Sequence, residues 1–476
     1  MSKKFYITTP IYYVNDKPHI GHLYTTIAAD VLARYYRQND YEVFFLTGTD
    51  EHGAKVAESA KESGLEPKAF TDQNSQLFRD IFKKLDISLD YFIRTTDARH
   101  EESVKKFIQK LYDQGDIYEG KYEGLYCVGC EKFITKKELV NGHCPDHKKP
   151  PENLTEKNYF FKLKKYLPEV ERLIIKDKIL IRPDSRKSEV LGFFKQGLDD
   201  FSVSREKVEW GIPLPFDAKQ KTYVWVEALQ NYISAIGYGD NEKDFKKWWP
   251  ADVHLMARDI IKFHCIYWPA LLIASGLEVP KQVYSHGFFT VNNQKMSKSI
   301  GNVIDPYTMV EQFGVDATRY LLLSQFPFSQ DGDIKASLFK EKYNADLANN
   351  LGNLLSRVFN MLEKYCDGKI PQQVASPIYL APVRELIENL KFNEALREMW
   401  QAIDKANKII DENKPWQMAK DASNRKKLDE ILSQLASFLL ELVVYIRPFM
   451  PSTAATIVGS LESEKITKGE PLFMRI

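Results

Sequence analysis

Two short segments, His19-Ile20-Gly21-His22 and, about 270 residues later, Lys295-Met296-Ser297-Lys298-Ser299, carry two imidazoles and two ammonium groups suited to holding a triphosphate. A histidine pair where a loop enters a helix can stabilise the charge that develops on an α-phosphate under attack. The helix N-terminus itself favours phosphate, and a glycine such as Gly21 lets a nucleotide approach the backbone closely. A lysine-bearing loop can close on the β- and γ-phosphates as pyrophosphate leaves. The candidate catalytic groups are therefore His19, His22, Lys295 and Lys298, joined by Gly21 and Ser297 as ATP-contacting residues. A lone histidine at a helix start is ordinarily a cap; the pair, answered by a lysine pentapeptide, favours chemistry.

Cys127-x-x-Cys130 is followed, after 13 intervening residues, by Cys144-x-x-His147. Two turns offering two ligands each meet the needs of a tetrahedral zinc ion, and four protein ligands leave no open position, so the ion is structural. Gly129 and Gly142 suit the tight turns, and Pro145 stiffens the second. His143 competes for the ligand role, but its spacing from Cys144 is wrong for a knuckle. The other cysteines, Cys265 and Cys366, read as ordinary buried thiols.

These groups need a scaffold. Residues 5–10 read as a strand and residues 21–38 as a helix, with Leu23, Ile27, Val31 and Tyr35 on one apolar face. Residues 43–47 read as a buried strand leading into Gly48-Thr49-Asp50-Glu51-His52-Gly53. This order predicts a doubly wound parallel (Rossmann-like) α/β sheet, with ligands beyond the carboxyl ends of the strands. Residues 283–290 read as a strand before the lysine loop, and Asp305-Pro306 as a helix start. From residue 340 the pattern is helical, with runs at 347–365, 382–413 and 428–446 that predict an α-helical bundle. Asn349, Asn353, Ser356 and Arg357 form a polar stripe in it.

Bulk properties set limits. The chain has 476 residues, 44% of them hydrophobic, and no apolar run long enough to span a bilayer. It opens directly into a strand-like segment without a signal peptide, and five cysteines, three of them clustered, fit a reducing compartment; the expectation is a cytoplasmic protein. Lys+Arg 66 against Asp+Glu 65 leaves it nearly neutral, so any RNA contact must use local surface and stacking groups.

The two phosphate-handling segments resemble the H-I-G-H and K-M-S-K-S motifs of class I aminoacyl-tRNA synthetases. The whole chain resembles the methionyl-tRNA synthetases, in the bacterial form with one zinc knuckle. Thr9-Pro10-Ile11-Tyr12-Tyr13, Val224-Trp225-Val226-Glu227-Ala228-Leu229-Gln230-Asn231-Tyr232 and Asp259 to His264 with Trp268 resemble the family's methionine-contacting segments. By that resemblance Asp50 pairs with the substrate ammonium. Tyr13, Trp225, Ala228, Leu229, Tyr232, Asp259, His264 and Trp268 surround the substrate, with the Ile11 amide and the Tyr13 hydroxyl near sulfur. Asn349, Asn353 and Arg357, with Pro415 and the stacking Trp416, read a CAU anticodon. Two segments depart from the pattern: Glu227 replaces the usual Asp, and Ala257-Arg258 replaces Gly-Lys.

The resemblance implies a methionine–tRNA ligase. It forms methionyl-adenylate and pyrophosphate from L-methionine and ATP, with Mg2+ accompanying the nucleotide, and transfers methionyl to the terminal 2′-OH of tRNA(Met), for initiation and elongation. One structural Zn2+ per chain, no membrane partner and a monomeric state complete the expectation. Residues 1–115 and 222–290 form the halves of the catalytic sheet, split by a zinc-binding insertion at 116–221. Residues 291–339 carry the lysine loop and a stem-contacting region, and 340–476 the anticodon-binding bundle. The rival readings are a cysteinyl synthetase, disfavoured by the compact knuckle, a non-catalytic RNA-binding paralogue, and a nucleotidylyltransferase sharing H-x-G-H, which leaves the helical half unexplained.

Overall fold

The structure, a computed structural model, describes residues 3–145, 148–291, 294–295, 304–372 and 374–476, apart from the side chains of Lys137, Gln294, Lys295 and Ala336. The chain forms two compact units: Met1–Pro18, Asp40–Lys83 and Ser88–His286 make the first, and His19–Asn39, Lys84–Ile87 and Gly287–Ile476 the second.

The first unit is built on six parallel strands: β1 (Lys3–Tyr13), β2 (Tyr41–Asp50), β3 (Tyr91–Arg94), β4 (Leu180–Arg182), β5 (Val253–Ala257) and β6 (Gln282–His286). Their order across the sheet is β3-β2-β1-β5-β6-β4. Phe5 to Thr9 in β1 and Phe45 to Asp50 in β2 are buried without alternation, as strands covered on both faces must be. The strand order reverses direction between β1 and β5, the switch point beyond whose carboxyl ends a ligand crevice opens. β1 and β2 run longer than the hydrophobic pattern predicts. Thr8 pairs with Leu46 but Ile11 with Gly48, so β1 carries one extra residue at Thr9-Pro10. That bulge, at a proline that has no N–H to give the ladder, resets the register so that Tyr13 lies opposite Asp50. Gly48 is required beside it, because a Cβ there would sit 2.0 Å from the Ile93 carbonyl oxygen.

Between β3 and β5 a four-stranded antiparallel sheet is built from Ile117–Cys127, Lys132–Ile134, Glu152–Phe161 and Phe201–Ser202. The same stretch of chain also supplies β4 to the edge of the parallel sheet, so it is shared between two sheets. The expected strand at 283–290 is two strands, because the chain turns at Gly287, where a Cβ would meet the Gln330 carbonyl oxygen at 2.0 Å.

The second unit holds helix α1 (Ile20–Gln38), whose expected stripe of Leu23, Ile27, Val31 and Tyr35 is buried. It also holds the hairpin of β7 (Phe289–Val291) with β8 (Gln294–Lys295), to which β9 (Gly332–Ile334) adds in parallel. A helical array follows. Asp305 caps the helix Pro306–Phe313 through the Thr308 N–H, as the Asp-Pro pair predicts. The run expected at 382–413 is two helices, Ala381–Glu388 and Phe392–Asn413; Leu390 is left-handed (φ 56°), and Lys391 N–H bonds back to Leu386, closing the first helix. The segment Tyr343–Gly352 is π-helical and becomes α-helical only at Asn353. Among the described residues no helix is long and apolar enough to cross a membrane.

Candidate active site

In the first unit the loop after β2 places two carboxylates side by side with opposite fates. Glu51 is fully buried and saturated: Arg94 grips it with Nε at 2.7 Å and Nη2 at 2.8 Å, Thr96 donates at 2.6 Å and Thr49 at 2.7 Å. Asp50, also buried, has no hydrogen-bond partner on Oδ1 among the described residues. Burial and the charges of Glu227, Glu131 and Glu51 hold its carboxyl well above the usual range. Among the described residues no side chain meets that oxygen, which leaves it open to a ligand's donor.

An aromatic enclosure stands in the same unit. Tyr13 meets Trp225 edge to face at 6.1 Å, and Trp225 stacks on Phe263 at 4.2 Å and 12°. Tyr232 lies 5.7 Å from the His264 ring and 6.2 Å from Trp268. Its hydroxyl reaches His264 Nε2 at 2.8 Å, while His264 Nδ1 lies 3.0 Å from the Ile260 carbonyl. A carbonyl can only accept, so His264 carries its proton on Nδ1 and accepts from Tyr232. The Tyr13 hydroxyl and Trp268 Nε1 are buried without partners, which leaves two donors for a weak acceptor such as a thioether. Ala228 and Leu229 are buried in the helix Val224–Leu229 that carries Trp225. Ile11 lies just past the bulge, and Asp259 is exposed in the turn Arg258–Ile260 at the carboxyl end of β5. His264 belongs to a π-helical turn, Phe263–Tyr267, a distortion that concentrates at functional sites.

Burial pushes His264 down to about 4. Below the unfolded value of about 6.5 the unfolded chain takes up a proton that the folded one refuses, so stability drains away as the pH falls from 6.5 towards 4. A His264→Gln variant should therefore lose less melting temperature than the parent between pH 7 and 5, by the equivalent of about 2 kcal/mol. Parallel melting curves at the two pH values would expose a failure of this assignment.

In the second unit His19 caps α1. Its Nδ1 accepts from the Gly21 N–H at 3.0 Å, and His22 Nδ1 accepts from the His19 N–H at 3.2 Å, a reciprocal capping box made of two imidazoles. The rings stack at 3.8 Å. Burial and the neighbouring His19 hold His22 well below the ordinary range, hence neutral, and a neutral ring that accepts at Nδ1 carries its proton on Nε2. This is the donor a phosphate oxygen needs. The Lys295 backbone pairs with Thr290 in the hairpin, but its side chain, with Ser297 and Lys298, lies outside the described residues.

The metal candidate is compact. The sulfurs of Cys127, Cys130 and Cys144 lie within 4.8 Å of one another, and those of Cys130 and Cys144 are 3.6 Å apart. Four thiolate-type ligands at about 2.3 Å around zinc would space their sulfurs by roughly 3.8 Å, so the soft donor set fits that ion. His147, the expected fourth ligand, lies outside the described residues. The left-handed residue of the first knuckle is Glu131 (φ 47°), not Gly129, which sits in the single 3-10 turn Val128–Cys130. Gly142 (φ 77°) serves instead the tight Val140–His143 turn that leads into Cys144.

Sequence reasoning missed what joins this knuckle to the enclosure. Trp225 Nε1 donates to the Cys130 carbonyl at 3.2 Å, and the Tyr223 hydroxyl to the Glu131 carbonyl at 2.6 Å. The Glu131 carboxylate, pushed up to about 7 by burial, accepts from the Lys55 N–H at the start of the helix Ala54–Glu62. A Cβ on Gly53 would overlap that carboxylate at 2.2 Å. Trp210 closes the other side of the loop, its indole donating to the Glu51 carbonyl at 2.6 Å. None of these residues carries a local signal; Glu131 alone stands next to one, the Cys-x-x-Cys.

A profile of the family described as "tRNA synthetases class I (M)" matches residues 5–152 and 146–359. The methionine–tRNA ligase of Caldanaerobacter subterraneus subsp. tengcongensis is 47% identical over 506 aligned residues, covering 100% of this chain and 79% of that protein. The chain belongs to the methionyl-tRNA synthetases. The Thermotoga maritima methionine–tRNA ligase is 41% identical, covering 99% of this chain and 80% of its own length. Mycobacterium tuberculosis methionyl-tRNA synthetase bound by methionyl-adenylate matches with a TM-score of 0.92 at 35% identity, covering 99% of this chain and 100% of that one. Its free-state form matches at 0.84 and 32% identity, covering 100% and 99%.

As a methionyl-tRNA synthetase the chain is a methionine–tRNA ligase, and the helical array holds the residues expected at the anticodon. They fall into two groups. Asn349 accepts from Arg475 Nε at 2.6 Å, and with Asn353, Ser356 and Phe473 lines a cavity of about 400 Å³. Arg357 faces elsewhere: Nη2 pairs with Asp411 at 2.6 Å, and its guanidinium lies 6.0 Å from the ring of Trp416, which is 40% exposed and so open to a base. Pro415 opens the short helix that carries Trp416. Arg475 and Phe473, 120 residues or more downstream of Asn353, were not foreseen.

Zinc removal should be visible from inside the enclosure. A Cys130→Ser variant, or the chelated protein, is expected to shift Trp225 emission and to raise the methionine Kd about tenfold, the cost of one lost orienting hydrogen bond. Unchanged fluorescence with zinc absent would show that the knuckle and the enclosure are independent.

Proposed function

We propose that the aromatic enclosure beside Asp50 takes up L-methionine, whose carboxylate attacks the α-phosphate of ATP in line to give methionyl-adenylate and pyrophosphate. Asp50 pairs with the ammonium. Tyr13, Trp225, Tyr232, His264 and Trp268 pack on the thioether chain, with Ala228 and Leu229 behind them, and the Ile11 amide and Tyr13 hydroxyl serve the sulfur. Asp259 is the remaining substrate contact. His19 and His22 donate through Nε2 to the transferring phosphate, Gly21 gives it access to the backbone, and Lys295, Ser297 and Lys298 hold the departing pyrophosphate. ATP enters as its Mg2+ complex. The 2′-OH of the terminal adenosine of tRNA(Met) then attacks the mixed anhydride, so both steps run on positioning and electrostatics without a covalent enzyme intermediate. Asn349, Asn353, Arg357, Pro415 and Trp416 read the CAU anticodon, and the charged tRNA serves initiation and elongation in the cytoplasm. One Zn2+, held by Cys127, Cys130, Cys144 and His147, is structural: it fixes the Cys130 carbonyl on which Trp225 rests. The chain divides into catalytic halves at 1–115 and 222–290, an insertion at 116–221, a lysine-loop region at 291–339 and an anticodon-binding bundle at 340–476.

The observation that carries this reading is the contrast between saturated Glu51 and Asp50, whose Oδ1 has no partner among the described residues, at the end of the strand that faces Tyr13. The test is exchange of labelled pyrophosphate into ATP with each of the twenty amino acids in turn. Exchange with methionine alone is expected. Exchange driven by another amino acid would leave the class intact and remove the methionine pocket.

A further inference from the structure

Asp50 is not the only buried carboxylate in the first unit with an unused oxygen. Glu227, two residues after Trp225, is fully buried; its Oε1 lies 2.8 Å from His52 Nδ1, and its Oε2 has no partner. His52 holds Asp50 as well, through its backbone N–H. One residue therefore fixes both carboxylates, by main chain and by ring, and each is left with one oxygen uncommitted. The other acidic side chains close by are engaged: Glu51 by Arg94, and Glu131 by the Lys55 N–H. Glu227 is also the first among the charges felt by Asp50, in keeping with their shared anchor.

A substrate ammonium offers three N–H donors, and a single carboxylate oxygen uses one of them. We propose that Glu227 is a second acceptor for the α-ammonium of the amino-acid substrate, set in place by His52. This rests on reading the enclosure as the methionine site. Burial works against a proton on His52 and Glu227 works for it, with a net rise, so the ring suits Glu227 Oε1 and leaves Oε2 for the ammonium beside Asp50. The alternative is that Glu227 serves only as the buried counterpart of His52.

Glu227→Gln separates the two, because the amide keeps an oxygen for His52 and removes the charge from the other position. Methionine and methioninol keep the ammonium; the α-hydroxy analogue of methionine keeps the thioether and carboxylate and lacks it. The expected result in the full-length enzyme is a 10- to 100-fold weakening of methionine and methioninol, the scale of one hydrogen bond to a charged group, with less than threefold change for the hydroxy analogue and for the KM of ATP. The ligand-free variant should melt close to the parent, since the amide keeps the oxygen that meets the His52 ring. Equal weakening of all three ligands, or a lower melting temperature with methionine affinity unchanged, would assign Glu227 to His52 alone and overturn the proposal. Failure of methionine to bind the parent enzyme would instead overturn the pocket reading on which it rests.

Discussion

Replacing Asp50 by asparagine is expected to lower kcat/KM for methionine by about 30- to several thousand-fold, the 2–5 kcal/mol lost when one member of a buried charge pair is truncated. The change should appear in pyrophosphate exchange and leave the KM of ATP nearly unmoved, because the missing partner belongs to the amino acid. Stability should move the opposite way. The Asp50 carboxyl is held well above its ordinary value by burial and by Glu227, Glu131 and Glu51. Below the unfolded pKa of about 3.9 both states are protonated and there is no penalty; above the raised folded value the penalty for ionising in the folded state is complete. The ligand-free Asp50→Asn protein should therefore match the parent near pH 4 and melt higher at pH 7 or above. A variant both less active and less stable at neutral pH would mean that Asp50 is paired within the protein and has no vacancy for a substrate.

That paired behaviour explains why part of the site was legible in the sequence and part was not. The Cys-x-x-Cys turn, the His-x-Gly-His helix start and the stripe from Leu23 to Tyr35 are local patterns: spacing and chemistry lie within one or two turns of chain, and all three are found where the spacing puts them. The doubly wound sheet was legible because buried strands and an amphipathic helix alternate at its start. The pairing of Glu227 with His52 spans 175 residues, and that of Glu131 with Lys55 spans 76. Such pairs depend on strand register and loop closure, which composition and periodicity do not encode. Asp50 could be named only through a resemblance; its distinction from Glu51 emerges when Arg94, on β3, is seen to take Glu51 and leave Asp50 unsatisfied. The polar stripe on the helix through Arg357 was legible in part: Asn349, Asn353 and Ser356 line one cavity, whereas Arg357 turns to Asp411 and Trp416. Arg475, which meets Asn349, lies 126 residues further on, where no periodicity reaches.

Replacing Arg319 by methionine is expected to destabilise the second unit by about 3–5 kcal/mol. Arg319 and Asp30 are both fully buried and pair at 2.6 Å. The guanidinium also donates to the carbonyls of Phe449 at 2.8 Å, Pro448 at 2.9 Å and Leu85 at 3.3 Å. Removing it strands one charge and three backbone acceptors, though Arg34 still reaches Asp30 at 2.7 Å and keeps the loss from being larger. The double variant Asp30→Asn, Arg319→Met should recover only the charge part, because the carbonyls stay without donors. The readout is the denaturant midpoint of the second unit, followed by hydrogen exchange along α1, since a chain of this size need not unfold in one step. Catalysis per folded molecule should survive. Asp30 lies eight residues beyond His22 on α1, roughly 12 Å along the axis, so its pairing holds the helix without touching the two imidazoles at its start. A variant that unfolds within experimental error of the parent would mean that water or Arg34 fully replaces the guanidinium. A stable variant without pyrophosphate exchange would make Arg319 part of the chemistry, contrary to its burial against main-chain carbonyls.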